Sequence, residues 1–511
     1  MTTSPSNVAL RGYQVAASEA IQRGFTEYQR QLLVLPTGGG KTVVFAHLAA
    51  IHQPRRTLVL AHREELIGQA VDKIRAVTGL NAEIEMADHK ASADAPVVVA
   101  SIQTLMRSPR RERWARDHFG LVVVDEAHHS LADSYLGTLR HFDEHAFVLG
   151  VTATPDRSDK RNLGRYYQNI AYEVTLLDLI RQNWLVPIRA KTVPLEIDLD
   201  DVGTTAGDYN ANDLGHAIEP YLERIADVIA EHSERKTLVF FPLIALSRDF
   251  ADLCRERGLR AEHVDGTSED RRDILSRFSR GETRVLTNAM LLTEGYDEPS
   301  IDCVVCLRPT QVRALYSQIV GRGTRLYPGK DHLLLLDFLW MSEEHSLVKP
   351  ANLIASDPEE ADAITAALGF DGDLEEAKGK ADTDRAATLR QRLKQNARRA
   401  ARTFDAVEFA LSLGDVELAD FVPTMGWHGD PATGRQKDIL GKFGVDPGTI
   451  TCKGQAGALL DKLFLRRDLG LASARQVLWL RKLGHPTPEL ATFDEAKQFL
   501  DAKWSKPEVT P

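Results

Sequence analysis

Short apolar runs punctuate the first two thirds of the chain, each followed by a stretch with helical spacing. The runs fall at 31–35, 57–61, 97–101, 121–125 and 148–152. Runs this short, rich in Val and Leu and without polar alternation, read as strands buried on both faces. Their alternation with helical segments predicts a parallel sheet with crossover helices. The pattern breaks over 186–212, which is polar and contains Gly and Asp, then resumes at 237–241, 261–264, 284–287, 301–307 and 332–337. An α/β lobe over 1–185, a linker over 186–224 and a second α/β lobe over 225–340 are expected.

Beyond Trp340 the character changes. Residues 357–377 are acidic and 378–402 densely basic and helix-forming, which predicts a helical connector over 341–404. The remainder, 405–511, reads as a small helical domain. Within it the segment starting Ala432-Thr433-Gly434-Arg435-Gln436 aligns with Ala472-Ser473-Ala474-Arg475-Gln476. The register holds through Leu440/Leu480, Lys442/Lys482, Gly444/Gly484, Ala456/Ala496, Leu460/Leu500 and Asp461/Asp501. Two helical hairpins are expected, either as a weak internal repeat or as a chance match of amphipathic sequences.

A chain of 511 residues, 43% hydrophobic and 27% charged, is an ordinary globular composition for two to four domains. The net charge of −10 excludes a uniformly basic protein but not a local basic groove. Residues 1–7 are polar, and no apolar run approaches the roughly 20 residues that cross a bilayer, so a cytoplasmic location without membrane contact is expected. Four cysteines cannot form a disulfide framework in a chain this long. Cys303 and Cys306 form a C-x-x-C, but inside a strand-like run their side chains point to opposite faces. No zinc site is expected.

Leu32-Leu33-Val34-Leu35 is followed by Pro36-Thr37-Gly38-Gly39-Gly40-Lys41-Thr42 and then a helical stretch. Strand, Gly-rich loop and helix is the context of a P-loop, in which backbone N–H groups face phosphates at the positive end of the helix. Lys41 would reach the β- and γ-phosphates and the Thr42 hydroxyl would ligate Mg²⁺. Leu35 stands where the strict motif has its first glycine, so the alternative is a merely tight strand-to-helix turn. A second acid site lies at Asp125-Glu126-Ala127-His128, delivered by the apolar run 121–124. Ligands of open α/β sheets bind at the C-terminal ends of strands. There Asp125 would hold Mg²⁺ and Glu126 could polarise an attacking water.

From Leu10 to about Asp337 these motifs, in this order, resemble the two-lobed core of a superfamily 2 helicase with a DEAH-type box. The resemblance implies two tandem RecA-like parallel-sheet lobes, followed here by a small, mainly α-helical C-terminal domain. ATP and Mg²⁺ are the implied cofactors. Leu10-Arg11-Gly12-Tyr13-Gln14 resembles the adenine-reading element, with Arg11 and above all Gln14 at the base, while Thr37, Gly38, Gly39, Gly40, Lys41 and Thr42 hold the phosphates. His128 completes the acid box. Ala61-His62-Arg63-Glu64 and Ser101-Ile102-Gln103-Thr104 resemble the strand-contact motifs of the first lobe. Thr152-Ala153-Thr154-Pro155 resembles the motif that couples hydrolysis to lobe movement. Leu292-Thr293-Glu294-Gly295-Tyr296-Asp297 and the run from Gln318 through Gly321, Arg322 and Gly323 to Arg325 resemble the last two core motifs, with Gly295 and Asp297 at the nucleotide. Arginines of the facing lobe, Arg322 and Arg325, would stabilise charge on the γ-phosphoryl oxygens, with Gln318 beside them in the catalytic set.

The triple glycine, the Leu-Arg-Gly-Tyr-Gln opening and Leu307-Arg308-Pro309-Thr310 resemble the DNA-repair and restriction-motor branch, nearest to bacterial RadD-type helicases and their XPB- and UvsW-like relatives. That implies a DNA helicase or translocase of 3′ to 5′ polarity, although the cysteine-rich zinc region of RadD-type proteins is missing. RNA-specific DEAD-box proteins have Asp where this chain has His128. Strand contacts are expected from Arg63, Ser101, Gln103, Thr104, Phe241, Thr287 and Thr293, mainly to phosphate and sugar. The basic segment with Arg390, Arg392, Lys394, Arg398 and Arg399 is either a solvated helix paired with the preceding acids or a further DNA contact. The hairpins at Arg435 and Arg475 could grip duplex DNA, bind a protein or only complete the fold. No nuclease constellation is found in the last third. An RNA helicase, or an ATP switch in a restriction or defence complex, is the competing reading.

Overall fold

The computed structural model describes residues 9–62, 64–130, 133–153, 163–195, 202–205, 208–293, 295–308, 310, 312–340, 348–396, 406, 410, 415–423 and 426–504. Two compact units are present, Met1–Lys378 and Gly379–Pro511. The first contains two seven-stranded sheets.

In the first lobe the strands are β1 (Arg30–Val34), β2 (Arg56–Ala61), β3 (Ala82–Glu85), β4 (Val97–Ser101), β5 (Phe119–Asp125), β6 (Phe147–Thr152) and β7 (Asn169–Glu173). Their order is β3-β4-β2-β5-β6-β1-β7, and every pairing is parallel. Helices α1 (Gly12–Gly24), α2 (Lys41–Ile51) and α3 (Glu64–Thr78) belong to the crossovers and the entry to the sheet. Val97 to Ser101 are buried throughout, as are Leu32 to Val34 and Leu121 to Val124. A sheet covered on both faces has no solvated side, which is why these strands read as continuous apolar runs. Only β6 separates the strand before the P-loop from the strand that ends in Asp125, so both chemical elements emerge on one edge beside Thr152.

The second lobe begins earlier than its apolar runs suggest. Residues 186–224, expected as a linker, contain β8 (Ile188–Leu195), a small hairpin of β9 (Thr204–Thr205) and β10 (Asp208–Tyr209), the helix Ala211–Ile218 and the start of the helix Leu222–Ala230. The sheet is completed by β11 (Thr237–Phe240), β12 (Ala261–Val264), β13 (Val285–Asn288), β14 (Cys303–Cys306), β15 (Leu333–Trp340) and β16 (Asp371–Asp373), in the order β12-β13-β11-β14-β15-β8-β16. β8 pairs in parallel with β15 from Ile188↔Leu333 to Leu195↔Trp340, and β16 closes the edge antiparallel to β8. Arg189, Lys191 and Pro194 hide β8 from an apolar-run search, because an edge-side strand tolerates polar residues that a central one does not. Leu214, Ile218, Leu222, Ile225 and Ile229 then bury the helices' apolar stripes against the sheet. Within the stretch expected as a connector, Lys378 and Glu360 form a buried ion pair, and Glu360 also accepts from the Ser356 N–H and hydroxyl.

Unit two holds the aligned segments. The helices Gly434–Phe443 and Ala474–Lys482 both open with a reciprocal capping box, Thr433 with Gln436 and Ser473 with Gln476. Gln436 Nε2 donates to Lys453 O at 3.3 Å and Gln476 Nε2 to Phe493 O at 3.4 Å, the same link to the following helix in each hairpin. Leu440 and Leu480 are fully buried, as are Ala456 and Ala496, in separate clusters. Arg466 ties the hairpins together by donating to Ala472 O and Glu489 O. Among the described residues no helix is long and apolar enough to cross a membrane.

Packing in the first lobe leaves no room behind β6. A Cβ on Gly150 would lie 2.5 Å from Tyr167 Cζ, and Tyr167 is a fully enclosed ring whose hydroxyl donates to Ser130 Oγ at 3.3 Å. Overpacking of this kind costs about 1–3 kcal/mol. Gly150→Ala is expected to lower the thermal unfolding midpoint of the chain, and an unchanged midpoint would show that the ring can move.

Candidate functional site

The loop after β1 folds as its glycines require. Gly38 (φ +85°) and Gly40 (φ +78°) take left-handed conformations, and Gly39 N–H closes a turn onto Pro36 O at 2.9 Å. A side chain at either left-handed position would be strained. Gly40 is the N-cap of α2, so Lys41 and Thr42 occupy its first turn, where unpaired N–H groups and the helix dipole favour an anion. Thr37 Oγ1 is buried and has no hydrogen-bond partner among the described residues. These features fit a bound phosphate chain.

Lys41 Nζ meets Glu126 Oε1 at 2.7 Å. Glu126 stands in a left-handed conformation (φ +50°, ψ 55°) directly after β5, a backbone state that costs a non-glycine residue roughly 1–2 kcal/mol. That turn swings its carboxylate back over the P-loop. His128 Nδ1 lies 3.4 Å from the other Glu126 oxygen and 3.3 Å from Thr152 Oγ1. Asp125 Oδ1 accepts the Glu126 N–H at 3.1 Å. Burial, and then the neighbouring Glu126 carboxylate, raise the Asp125 carboxyl well above the usual carboxylate range, while Lys41 pulls the other way. A divalent cation would offset both the burial and the Glu126 charge, and Asp125 and the Thr42 hydroxyl are the groups that would hold Mg²⁺.

Arg325 lies across from this loop and is ion-paired to Asp297 at 2.5 Å. Its Cγ and Thr324 Oγ1 would lie 3.6 and 3.3 Å from a Cβ on Gly38. Arg322 is turned inward: its Nε donates to Thr293 O at 3.0 Å and its Nη1 to Tyr296 O at 2.7 Å. Of the two expected arginine fingers, the structure sets Arg325 beside the P-loop and uses Arg322 to brace the loop that carries Gly295 and Asp297. Gln318 is buried on the helix Arg313–Gly321, and Gly295 O accepts from Gln69 Nε2 of α3.

The base-reading element packs against the P-loop. Gln14 is buried, its Oε1 accepting Arg11 N–H at 2.9 Å and its Nε2 donating to Gly39 O at 3.3 Å. Tyr13 OH donates to the same carbonyl at 2.7 Å. Gln14 thus joins the start of α1 to the P-loop. The Arg11 guanidinium sits 5.1 Å from the ring centroid of Trp184, a residue that the motifs did not single out.

The strand-contact candidates divide. Ser101, at the end of β4, donates to Gln103 Oε1 at 2.6 Å, and Gln103 Nε2 donates to His62 O at 2.9 Å, so the two first-lobe motifs meet at an exposed edge. Thr104 Oγ1 accepts from Ala87 N at 3.4 Å. Phe241, Thr287 and Thr293 are corrections. Phe241 is fully buried on the same side of its strand as Val239, packed on Phe250 at 5.0 Å. Thr287 donates to Ser247 O at 2.8 Å and Thr293 to Met290 O at 2.7 Å, both in the interior. None of the three side chains faces a strand-binding surface. Arg63, Thr154, Pro155 and Glu294, and the side chains of Arg390, Arg392, Lys394, Arg398 and Arg399, lie outside the described residues. Cys303 and Cys306 are buried on β14, where burial pushes both thiols up to about 12.

Residues 7–157 match the family described as type III restriction enzyme, res subunit, and residues 220–327 the helicase conserved C-terminal domain. With the paired sheets, the P-loop and the facing arginine, this places the chain in helicase superfamily 2. It is 35% identical over 384 residues to the helicase-family protein IRC3 of Saccharomyces cerevisiae, covering 70% of this chain and 55% of that one. The chain thus spans little more than half the length of this relative. Among solved structures it resembles a fragment of an HsdR-type subunit of a type I restriction enzyme from Vibrio vulnificus YJ016. That match has a TM-score of 0.51 and 25% identity, over 66% of this chain and 65% of that one. The fold also resembles the Type ISP restriction-modification enzyme LlaBIII, with a TM-score of 0.56 and 15% identity, over 98% of this chain and 42% of that one.

One close approach tests the arrangement. A Cβ on Gly321 would lie 2.4 Å from Thr37 Cβ in the P-loop. Gly321→Ala is expected to force the two loops apart and lower ATP turnover by about tenfold to a hundredfold, since a 1 Å misplacement carries that cost. Turnover at the wild-type rate would mean that the contact is not kept in the reacting state.

Proposed function

We propose that this chain is an ATP-dependent DNA helicase or translocase, moving 3′ to 5′, that serves DNA processing such as repair or recombination. The observation that carries the ATPase half is the meeting of Lys41, Glu126 and Asp125 on one strand edge, with Arg325 facing the same loop. Lys41 has two competing anions, the Glu126 carboxylate and a nucleotide phosphate. When it turns to the phosphate, Glu126 is released to polarise water, with His128 holding its other oxygen. Arg325 can exchange Asp297 for the γ-phosphoryl charge. Because those groups belong to different lobes, binding and hydrolysis would draw the lobes together and release them.

DNA is favoured as the track by the type I restriction relative and by His128 in the acid box. The polarity rests on the resemblance of the motif set. The exposed Gln103 edge supports strand contact through neutral polar groups to phosphate and sugar, which is largely indifferent to sequence.

Steady-state ATP hydrolysis with no nucleic acid, single-stranded DNA, duplex DNA and RNA tests this reading. DNA is expected to stimulate turnover strongly, and Glu126→Gln to lower it by about 10²–10⁴-fold, the usual contribution of a general base. Stimulation by RNA alone would overturn the DNA assignment. Absence of stimulation by any nucleic acid would overturn the motor itself.

A further inference from the structure

The two hairpins of unit two share a scaffold but not an outer surface. Their alignment, with Leu440 at Leu480 and Ala456 at Ala496, sets Ile439 opposite Trp479, Ile450 opposite Leu490 and Lys453 opposite Phe493. In the first hairpin Ile450 is only 8% exposed, Ile439 is half-buried and Lys453 is polar. In the second, Leu490 is 71% exposed, Phe493 51% and Trp479 43%. The first hairpin's core takes in Leu418 and Ala419 from the preceding chain, whereas the second's is built from residues 472–500 alone among the described residues. Its outer face is therefore left apolar, and an exposed apolar cluster rimmed by charge marks a binding surface.

Two links hold these residues along one stretch of the surface. Gln476 Nε2 donates to Phe493 O and Arg481 pairs with Glu489, so residues 489–493 run beside the helix Ala474–Lys482 that carries Trp479. Cations accompany the rings. Lys482 Nζ, one turn along the helix, lies 4.9 Å from the Trp479 ring centroid, and Lys503 Nζ lies 5.8 Å from that of Phe499. Both lysines are exposed, and among the described residues no carboxylate pairs with either. Asp494 and Glu495 follow Phe493, with Glu495 accepting the Thr492 N–H at 2.8 Å, so the positive end of the face is at Trp479. Gly379–Pro511 carries 21 Lys and Arg against 17 Asp and Glu, a positive surplus within a chain whose net charge is −10. That balance favours a polyanion as the occupant.

We propose that Trp479 and Lys482, flanked by Leu490 and Phe493, form a second seat for single-stranded DNA, outside the unit that holds the P-loop. A base stacks on the indole while the Lys482 ammonium turns to the adjoining phosphate. Stacking is indifferent to sequence, because every base has a π-face, and a cation beside the ring matches the repeating phosphate. Paired bases are closed to the ring, so the seat selects unpaired strand over blunt duplex. DNA as the occupant rests on the motor reading above, in which a second grip keeps hold of the strand while the lobes release it.

Equilibrium binding of fluorescently labelled single-stranded DNA and of blunt duplex to the full chain, without nucleotide, tests this seat. Trp479→Ala is expected to weaken single-strand binding about tenfold, the scale of one stacked base, and to leave duplex binding unchanged. Trp479→Phe should retain the affinity. Lys482→Gln should lower the slope of log affinity against log salt by about 0.7, the share of one single-strand phosphate. Leu490→Glu, at a residue too exposed to disturb the fold, should also weaken single-strand binding. In Trp479→Ala the DNA concentration for half-maximal ATPase stimulation should rise with the dissociation constant, while turnover at saturating DNA stays the same. Wild-type single-strand affinity in Trp479→Ala and Leu490→Glu would overturn the seat, and equal losses on duplex and single strand would overturn base stacking. Self-association of wild type that Trp479→Ala abolishes, with strand affinity kept, would instead assign the face to a second copy of the chain. If no DNA stimulated ATP turnover in wild type, the motor reading would fail, and the binding comparison would still decide the seat.

Discussion

The P-loop and the arginine-bearing turn of the second lobe approach so closely that a Cβ on Gly321 would overlap Thr37 and one on Gly38 would be tightly held. Gly38 faces Leu185, Thr324 and Arg325, and Gly321 faces Thr37. That constraint organises much of the first unit. The second sheet must present the end of the helix Arg313–Gly321 to the first sheet, and the chain between the lobes cannot be a loose tether. Residues 184–186 instead act as a strut, hydrogen-bonded to Thr324 and leading straight into β8. A methyl group is enough to disturb such a contact because packed interiors leave little room for adjustment.

Electrostatics completes the arrangement. Lys41 and Glu126 are both largely enclosed and neutralise one another, Arg325 and Asp297 form the second pair, and the two pairs flank the same glycine loop. Breaking an enclosed pair is costly unless another charge replaces the lost partner. A nucleotide phosphate would offer Lys41 a replacement for Glu126. The strained turn at Glu126 fits this view, since it holds the carboxylate where it can serve either Lys41 or a water molecule.

The motif residues also support one another. Gln14 stands in the base-reading element, yet its amide is buried between Arg11 and Gly39 and stiffens the loop. Arg322 braces Thr293 and Tyr296, and Arg325 lies beside Gly38 of the P-loop.

The amino-acid sequence by itself determined the strands of the first lobe, the P-loop, the acid box and the order of the second-lobe motifs. Buried parallel strands must be continuously apolar, and phosphate chemistry requires Gly, Lys, Thr and acids at set spacings. It did not reveal β8, because Arg189, Lys191 and Pro194 are compatible with a loop as well as with a strand near the edge of a sheet. Nor could it show that Phe241, Thr287 and Thr293 face inward, since burial depends on which helices cover a strand end. Tertiary structure alone decided which arginine faces the P-loop, what Gln14 binds and that Trp184 meets Arg11. Each of these rests on contacts between residues far apart in the chain, whose geometry local pattern does not encode.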